Sequence, residues 1–163
     1  MSTYKFYDTD KSGFAEFDID GEHYLKLLEV CFKYSSSFSW RVCGNDIVEP
    51  EGIKKFQIPI TDNVLHAYGH YYKHIDDPQL SQIRHYKITN ETIDTFSSVT
   101  NSIFKWITDW VHTNPEDPVF YREDGSIFFS VIVHEGECML FPNINEDISD
   151  ALKFGNWVKC NYD

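Results

Sequence analysis

Val119–His134, with the sequence VFYREDGSIFFSVIVH, is the stretch that decides the fold. An Asp-Gly pair flanked by apolar runs is among the strongest short-range indications of a β-hairpin. The first strand is expected over Val119–Arg122, the turn over Glu123–Gly125 and the second strand over Ser126–His134. The second strand is apolar on both faces, which is typical of a strand in the middle of a covered sheet. The stretch therefore predicts a mainly antiparallel sheet.

Further strands and helices are predicted on both sides of this hairpin. Short apolar or alternating runs predict strands over Tyr4–Tyr7, Phe14–Ile19, Phe38–Cys43, Glu137–Phe141 and about Trp157–Cys160. Helical spacing and capping residues predict three helices, over about Asp20–Tyr34, from Thr89 or Asn90 as far as Asn114-Pro115, and over about Glu146–Lys153.

These elements predict that residues 1–163 form a single α+β domain, in which a mainly antiparallel sheet packs with a few helices. With 42% hydrophobic residues, the chain can bury one ordinary core. We expect that core to include Phe17, Leu28, Phe32, Phe104, Ile107, Phe129, Val131 and Leu140.

Charge and hydropathy exclude several classes of partner. The chain has 14 basic and 26 acidic residues, a formal net charge of −12, so we expect no nucleic-acid binding and a basic protein partner instead. No run approaches the roughly 18 apolar residues of a membrane span, and the N-terminus lacks the apolar core of a signal peptide. We therefore expect a cytoplasmic protein that does not contact the membrane.

Neither the spacing of the cysteines nor the acidic segment Asp8–Gly13 predicts a functional site. Cys31, Cys43, Cys138 and Cys160 form no CxxC pair, so buried free thiols are expected. Asp8–Gly13 resembles the start of a calcium-binding loop, but Ile19 stands where that loop needs its bidentate carboxylate. A polar turn is the better interpretation, and we expect no cofactor.

Two histidine-containing segments are candidates for chemistry. His66, His70 and His74 are four residues apart and would share one face of a helix, a spacing that can hold zinc or nickel. A metal-dependent enzyme is therefore the alternative function, although Gly69 weakens such a helix and the face would point to solvent. His134–Glu137 combines a histidine with two carboxylates and could act as an acid and base.

Two stretches resemble a group of small, acidic bacterial proteins whose genes often lie beside polymorphic toxin genes. The stretches are Glu116–Phe129, continuing through His134–Cys138, and Leu25–Tyr34, leading into Phe38–Trp40. The resemblance implies an immunity protein, which binds and neutralises a cognate toxin domain and is not an enzyme. It carries over no catalytic residues.

The distribution of charge indicates where such a partner would bind. Residues 114–163 contain ten acidic and three basic residues, so this part should dominate the attraction to a basic toxin. Its carboxylates flank strands and turns, where we expect them to stay solvated, and aromatic side chains often anchor interfaces. The predicted partner-binding residues are Glu116, Asp117, Glu123, Asp124, Glu135, Glu137, Trp106 and Tyr121.

Overall fold

The computed structural model describes residues 2–7, 17–43, 49–61, 64, 81–104 and 115–161. The strands are β1 (Ser2–Tyr7), β2 (Ser37–Cys43), β3 (Gln57–Ile58), β4 (Ser81–Lys87), β5 (Glu116–Tyr121), β6 (Ile127–Ile132), β7 (Glu137–Leu140) and β8 (Trp157–Asn161). The helices are α1 (Gly21–Tyr34), α2 (Asn90–Val99) and α3 (Ser149–Leu152), with 3₁₀ turns at Ile53–Phe56 and Val133–Glu135. None of the helices in these ranges is long and apolar enough to cross a membrane.

The eight described strands form one antiparallel sheet in the order β3-β4-β2-β5-β6-β7-β1-β8. The predicted α+β class and antiparallel sheet are confirmed. The β5–β6 hairpin is confirmed as well: the Arg122 amide donates to the Ser126 carbonyl at 2.9 Å, and Gly125 adopts a φ of 79°. That left-handed conformation suits glycine, which has no Cβ to clash. β6 lies inside the sheet, as its apolar sequence predicts.

One face of the sheet packs against α1 and α2 to form the main core. Phe96 of α2 contacts Phe38 and Phe120 with ring centroids 5.1 and 5.2 Å away. The predicted core residues Leu28, Phe129, Val131 and Leu140 are buried. Phe17, Phe32 and Phe104 are half-buried against this core, and Ile107 lies outside the described residues.

The second face of the sheet carries a smaller apolar cluster. Side chains alternate across a strand, so Phe120 points into the main core while its neighbours Val119 and Tyr121 point the other way. These two residues pack with Val64, and Ile83 and Ile127 border the cluster. Both faces of β5 are therefore buried.

Helix α1 has the predicted bounds, whereas α2 is shorter than predicted. Thr89 caps α2 reciprocally with Thr92, each backbone amide donating to the other residue's hydroxyl. The prediction that this helix continues beyond Val99 is wrong, because Thr100 is extended and the Ile103 amide then donates to the Ile19 carbonyl at 3.0 Å. The apolar residues after Val99, such as Ile103, are buried by the core although they are not helical. Their spacing therefore resembles a continuation of the helix. Residues 105–114 lie outside the described ranges.

Two strand predictions differ from the structure. The described part of the predicted strand Phe14–Ile19, from Phe17 onward, is not a strand, and residues 14–16 are outside the described residues. Strand β4 was not predicted because its sequence, SQIRHYK, lacks a clear apolar alternation. The remaining predicted elements are confirmed in β1, β2, β7, α3 and β8, within a few residues at their ends.

Candidate functional site

The predicted partner-binding residues lie at two opposite ends of the β5–β6–β7 meander. Glu123 and Asp124 form the turn between β5 and β6, which we call the turn end. Glu116 begins β5 and Glu135 follows β6, at the other end of these strands, which we call the opposite end. The six residues of β6 separate the two ends by roughly 20 Å. The predicted acidic residues therefore do not form one patch, and Trp106 lies outside the described residues.

At the turn end, both carboxylates are exposed. Asp124 accepts hydrogen bonds from the Ser126 hydroxyl at 2.6 Å and from the Ser126 amide at 2.9 Å. These two bonds, the hydroxyl bond first, lower the pKa of Asp124. Asp124 is therefore fixed in place as an anion beside Glu123.

Arg122, next to these carboxylates, directs its hydrogen bonds elsewhere, and its charge makes only a smaller contribution to lowering the pKa of Asp124 than the Ser126 hydrogen bonds do. Its guanidinium donates from Nε and Nη2 to the two carboxylate oxygens of Glu146, both at 2.7 Å. It also donates to the Ile127 and Phe141 carbonyls at 2.7 and 2.6 Å. The Arg122 hydrogen bonds lower the pKa of Glu146. The Arg122–Glu146 pair is balanced in charge, so Glu123 and Asp124 leave the turn acidic.

Each of the three arginines of the chain pairs with a glutamate. Arg41 lies 3.7 Å from Glu116, and Arg84 contacts Glu49, whose carboxylate also accepts from Trp40 Nε1 at 3.1 Å and from the Tyr86 hydroxyl. The glutamate side chains of these two pairs are at most 2% exposed. Because each arginine is matched by a glutamate, the net charge of −12 is carried by lysines and the remaining carboxylates.

At the opposite end, the prediction that Glu116 and Asp117 stay solvated is wrong, since neither has any exposed surface. Asp117 has a φ of 50°, in the left-handed region, and its Oδ1 accepts from the Val133 amide at 2.8 Å. Arg41 packs beside Glu116. Both acidic residues are held inside by partners from other parts of the chain, which the local sequence does not reveal.

The remaining carboxylates of this end are accessible to different degrees. Glu135 is exposed, whereas Glu137 is half-buried and pairs with Lys5 at 2.7 Å. The predicted acid–base group at His134–Glu137 thus has one carboxylate bound by a lysine, and the side chain of His134 is outside the described residues. This end presents one exposed carboxylate, Glu135, among those predicted to bind a partner.

A groove of about 450 Å³ lies on the second face of the sheet, beside the turn end. Tyr121 and His85 line it together with Glu123 and Asp124. Tyr121 was predicted to contact a partner directly. Only 1% of its surface is exposed, so its ring is not available for such a contact in this structure. Its hydroxyl forms a 2.9 Å hydrogen bond with Ser39 Oγ, and burial raises its pKa.

His85 is the site residue that sequence reasoning missed. It is buried against Tyr121, with ring centroids 5.4 Å apart, and its Nδ1 lies 3.3 Å from the Pro59 carbonyl oxygen. Burial lowers the pKa of His85, and the hydrogen bond to Pro59 only partly opposes this. No motif surrounds this histidine, so no sequence pattern distinguishes it from a surface residue.

The other predicted ligand sites are only partly described. No group of three or more potential metal ligands occurs within the described ranges, while His66, His70, His74 and the segment Asp8–Gly13 lie outside them. Cys31 and Cys138 are buried free thiols, as predicted, and burial raises the pKa of each. Cys160 is a free thiol that is half-buried, and the side chain of Cys43 is outside the described residues.

Comparison with family models, with curated proteins and with solved structures gives no match for this chain. The immunity-protein resemblance therefore stays a prediction.

Proposed function

We propose that this protein is an immunity protein that binds and neutralises a basic toxin domain in the bacterial cytoplasm. The observation that supports this most is the exposed pair Glu123 and Asp124 at the rim of an open groove, where neither carboxylate forms an ion pair with a residue that the structure describes. The one arginine beside them, Arg122, is committed to Glu146. A basic surface can therefore approach the turn end without displacing an internal ion pair.

The acidic surface would act first on the rate of association. A net charge of −12 attracts a cationic partner over distances of about 10 Å at moderate salt, and it speeds productive encounters. A nuclease toxin has a positive nucleic-acid-binding face, and the exposed carboxylates would occupy part of the space that phosphates otherwise fill. Neutralisation then needs a stable, complementary surface and no chemistry on the toxin.

The proposal predicts that the gene immediately upstream encodes the toxin, and co-expression tests this. The C-terminal domain of that upstream gene product is expressed in cells with and without this chain, and survival is counted. We expect survival only with the chain, together with a complex whose association slows steeply as salt increases. Equal killing in both cultures, with no complex between the purified proteins at low salt, would refute the proposal.

A further inference from the structure

An isoleucine at the tip of a tight turn is almost fully exposed. The Glu146 amide donates to the Asn143 carbonyl at 3.0 Å, which closes a four-residue turn with Ile144 and Asn145 at its centre. Ile144 is 98% exposed, whereas the other exposed large apolar side chains in the described ranges are at most 49% exposed. Turns favour glycine, proline, asparagine, aspartate and serine. Neither the turn nor the core therefore requires an isoleucine at this position.

The turn at residues 143–146 is fixed by the side chain of Glu146. Its Oε2 accepts from the Asn143 amide and from Arg122 Nη2, both at 2.7 Å. Arg122 also donates to the Phe141 carbonyl at 2.6 Å, just before the turn. The isoleucine itself is β-branched, which restricts its χ1. Because the turn is already ordered, a partner that covers Ile144 has little conformational freedom to remove.

This turn lies at the turn end of the meander, together with the acidic β5–β6 turn. Strand β7 is antiparallel to β6, and Leu140 at the end of β7 pairs with Phe129 near the start of β6. The chain therefore leaves β7 at the turn end, where the Arg122–Glu146 pair joins the two turns. An interface of standard size covers about 800 Å² of each partner, so one partner can cover both turns.

We propose that Ile144 is an apolar anchor that inserts into a pocket on the basic toxin domain, beside the contacts of the acidic turn. Protein interfaces combine a buried apolar centre with a polar rim, and here Glu123 and Asp124 supply exposed negative charge at the same end. A second copy of this chain would carry the same net charge of −12, which opposes its approach. The inference rests on the proposed function for the identity of the partner.

The acidic and apolar parts of this surface act on different rates. Exposed carboxylates speed the encounter with a basic partner. An apolar contact forms only after the encounter, so it chiefly slows dissociation. Each buried methylene is worth about fourfold in affinity, so a fully buried isoleucine side chain contributes more than about tenfold.

The experiment measures the dissociation rate of the complex between the full-length chain and the C-terminal domain of the upstream gene product. Ile144→Val removes one methylene and should speed dissociation about 2–5-fold. Ile144→Thr has nearly the shape of valine but buries a hydroxyl, and should speed dissociation at least about tenfold. Both variants should associate within about twofold of the wild-type rate, because no charge changes.

A matched control and two further measurements separate binding from structure. Val158→Thr is the same kind of change at a 49% exposed position on the edge strand β8, and it should leave dissociation unchanged. Because Ile144 buries almost no surface in the fold, urea denaturation of Ile144→Thr should match wild type. The methyl resonances of Ile144 should be accessible to a soluble paramagnetic reagent in the free chain and protected in the complex.

Three results would overturn the inference: a dissociation rate for Ile144→Thr no faster than that of Val158→Thr, Ile144 methyl groups that stay accessible in the complex, or a dimer of the free chain that Ile144→Thr dissociates. Each of them would leave the proposed function standing if the wild-type chain still protects cells from the toxin. A wild-type chain that neither binds nor protects would refute the proposed function, and the inference about its partner with it.

Discussion

Arg122 and Glu146 form a two-pronged ion pair, with Nε–Oε1 and Nη2–Oε2 distances of 2.7 Å, that joins the β5–β6 turn to the segment after β7. The two side chains are 9% and 12% exposed. Removing one charge leaves the other in a poorly hydrated place, which is more costly than the loss of an exposed pair.

Glu146→Gln should therefore destabilise the fold by about 2–4 kcal/mol at pH 7, measured by urea denaturation. The pKa of Glu146 is lowered in the folded state, so its contribution is fully present above the unfolded value of about 4.3 and disappears as the pH falls. The difference in free energy of unfolding between Glu146→Gln and wild type should decrease below that pH. Asp150→Asn, which breaks the exposed pair with Lys153, is the control and should have little effect.

The parts of the fold that could be predicted are those that local pattern determines. The Asp-Gly turn and the doubly apolar β6 specify the hairpin without reference to distant residues. β4 could not be predicted, because Arg84 and His85 are satisfied by Glu49 and Pro59, which lie far away in sequence.

The candidate site was predictable only in its exposed part. Glu123 and Asp124 are in a turn that the sequence itself defines, so their exposure follows. The burial of Glu116 depends on Arg41 from another strand, and that of Asp117 on the Val133 amide. A position at the end of a strand therefore does not by itself predict that a charged side chain is solvated.

Asp117 provides a second prediction, because it combines a left-handed backbone with a buried acceptor. Asp117→Ala loses the hydrogen bond to the Val133 amide and puts alanine at a φ that disfavours it, so we expect a loss of about 2–3 kcal/mol. Asp117→Asn keeps a carbonyl acceptor and tolerates this φ, and should cost at least about 1 kcal/mol less. Stability is measured by thermal and urea unfolding. If the two variants lose the same free energy of unfolding, neither the hydrogen bond nor the left-handed φ contributes.

The hydroxyls of Ser39 and Tyr121 form a buried pair that a double-mutant cycle can measure. Ser39→Ala and Tyr121→Phe should each destabilise the fold, since each leaves one buried hydroxyl without its partner. The double variant should cost less than the two losses combined, with a coupling of about 1–2 kcal/mol. Additive losses would contradict the pairing.

His85 should make stability depend on pH. Its pKa is lowered in the folded state, so the unfolded chain binds a proton first as the pH falls through about 6.5. The contribution of neutral His85 to the free energy of unfolding is therefore fully present above that pH. It declines below that pH until His85 is protonated in the folded state as well. Between pH 7.5 and 5.5, wild type should lose more stability than His85→Asn, because the remaining titrating groups are common to both. Parallel pH profiles would contradict a buried, neutral His85.

The two ends of the meander can be compared as partner surfaces with variants of equal charge. Glu123→Lys with Asp124→Asn changes the turn end, and the asparagine keeps an acceptor for Ser126. Glu135→Lys with Glu137→Gln makes the same change in charge at the opposite end. Because the net charge is identical, any difference between the variants reports where the partner lands rather than the overall field.

We expect the turn-end variant to associate with the toxin about 3–10-fold more slowly at low salt, and to show a flatter dependence on salt. The opposite-end variant should show a smaller change, and urea denaturation should confirm that both are folded. Stopped-flow association at several salt concentrations makes the measurement. If the opposite-end variant is slowed more, Glu135 and Glu137 lie closer to the partner and the turn end is not the docking site. If the two are slowed equally, the charge acts only through the net field, and the turn end loses its role in placing the partner.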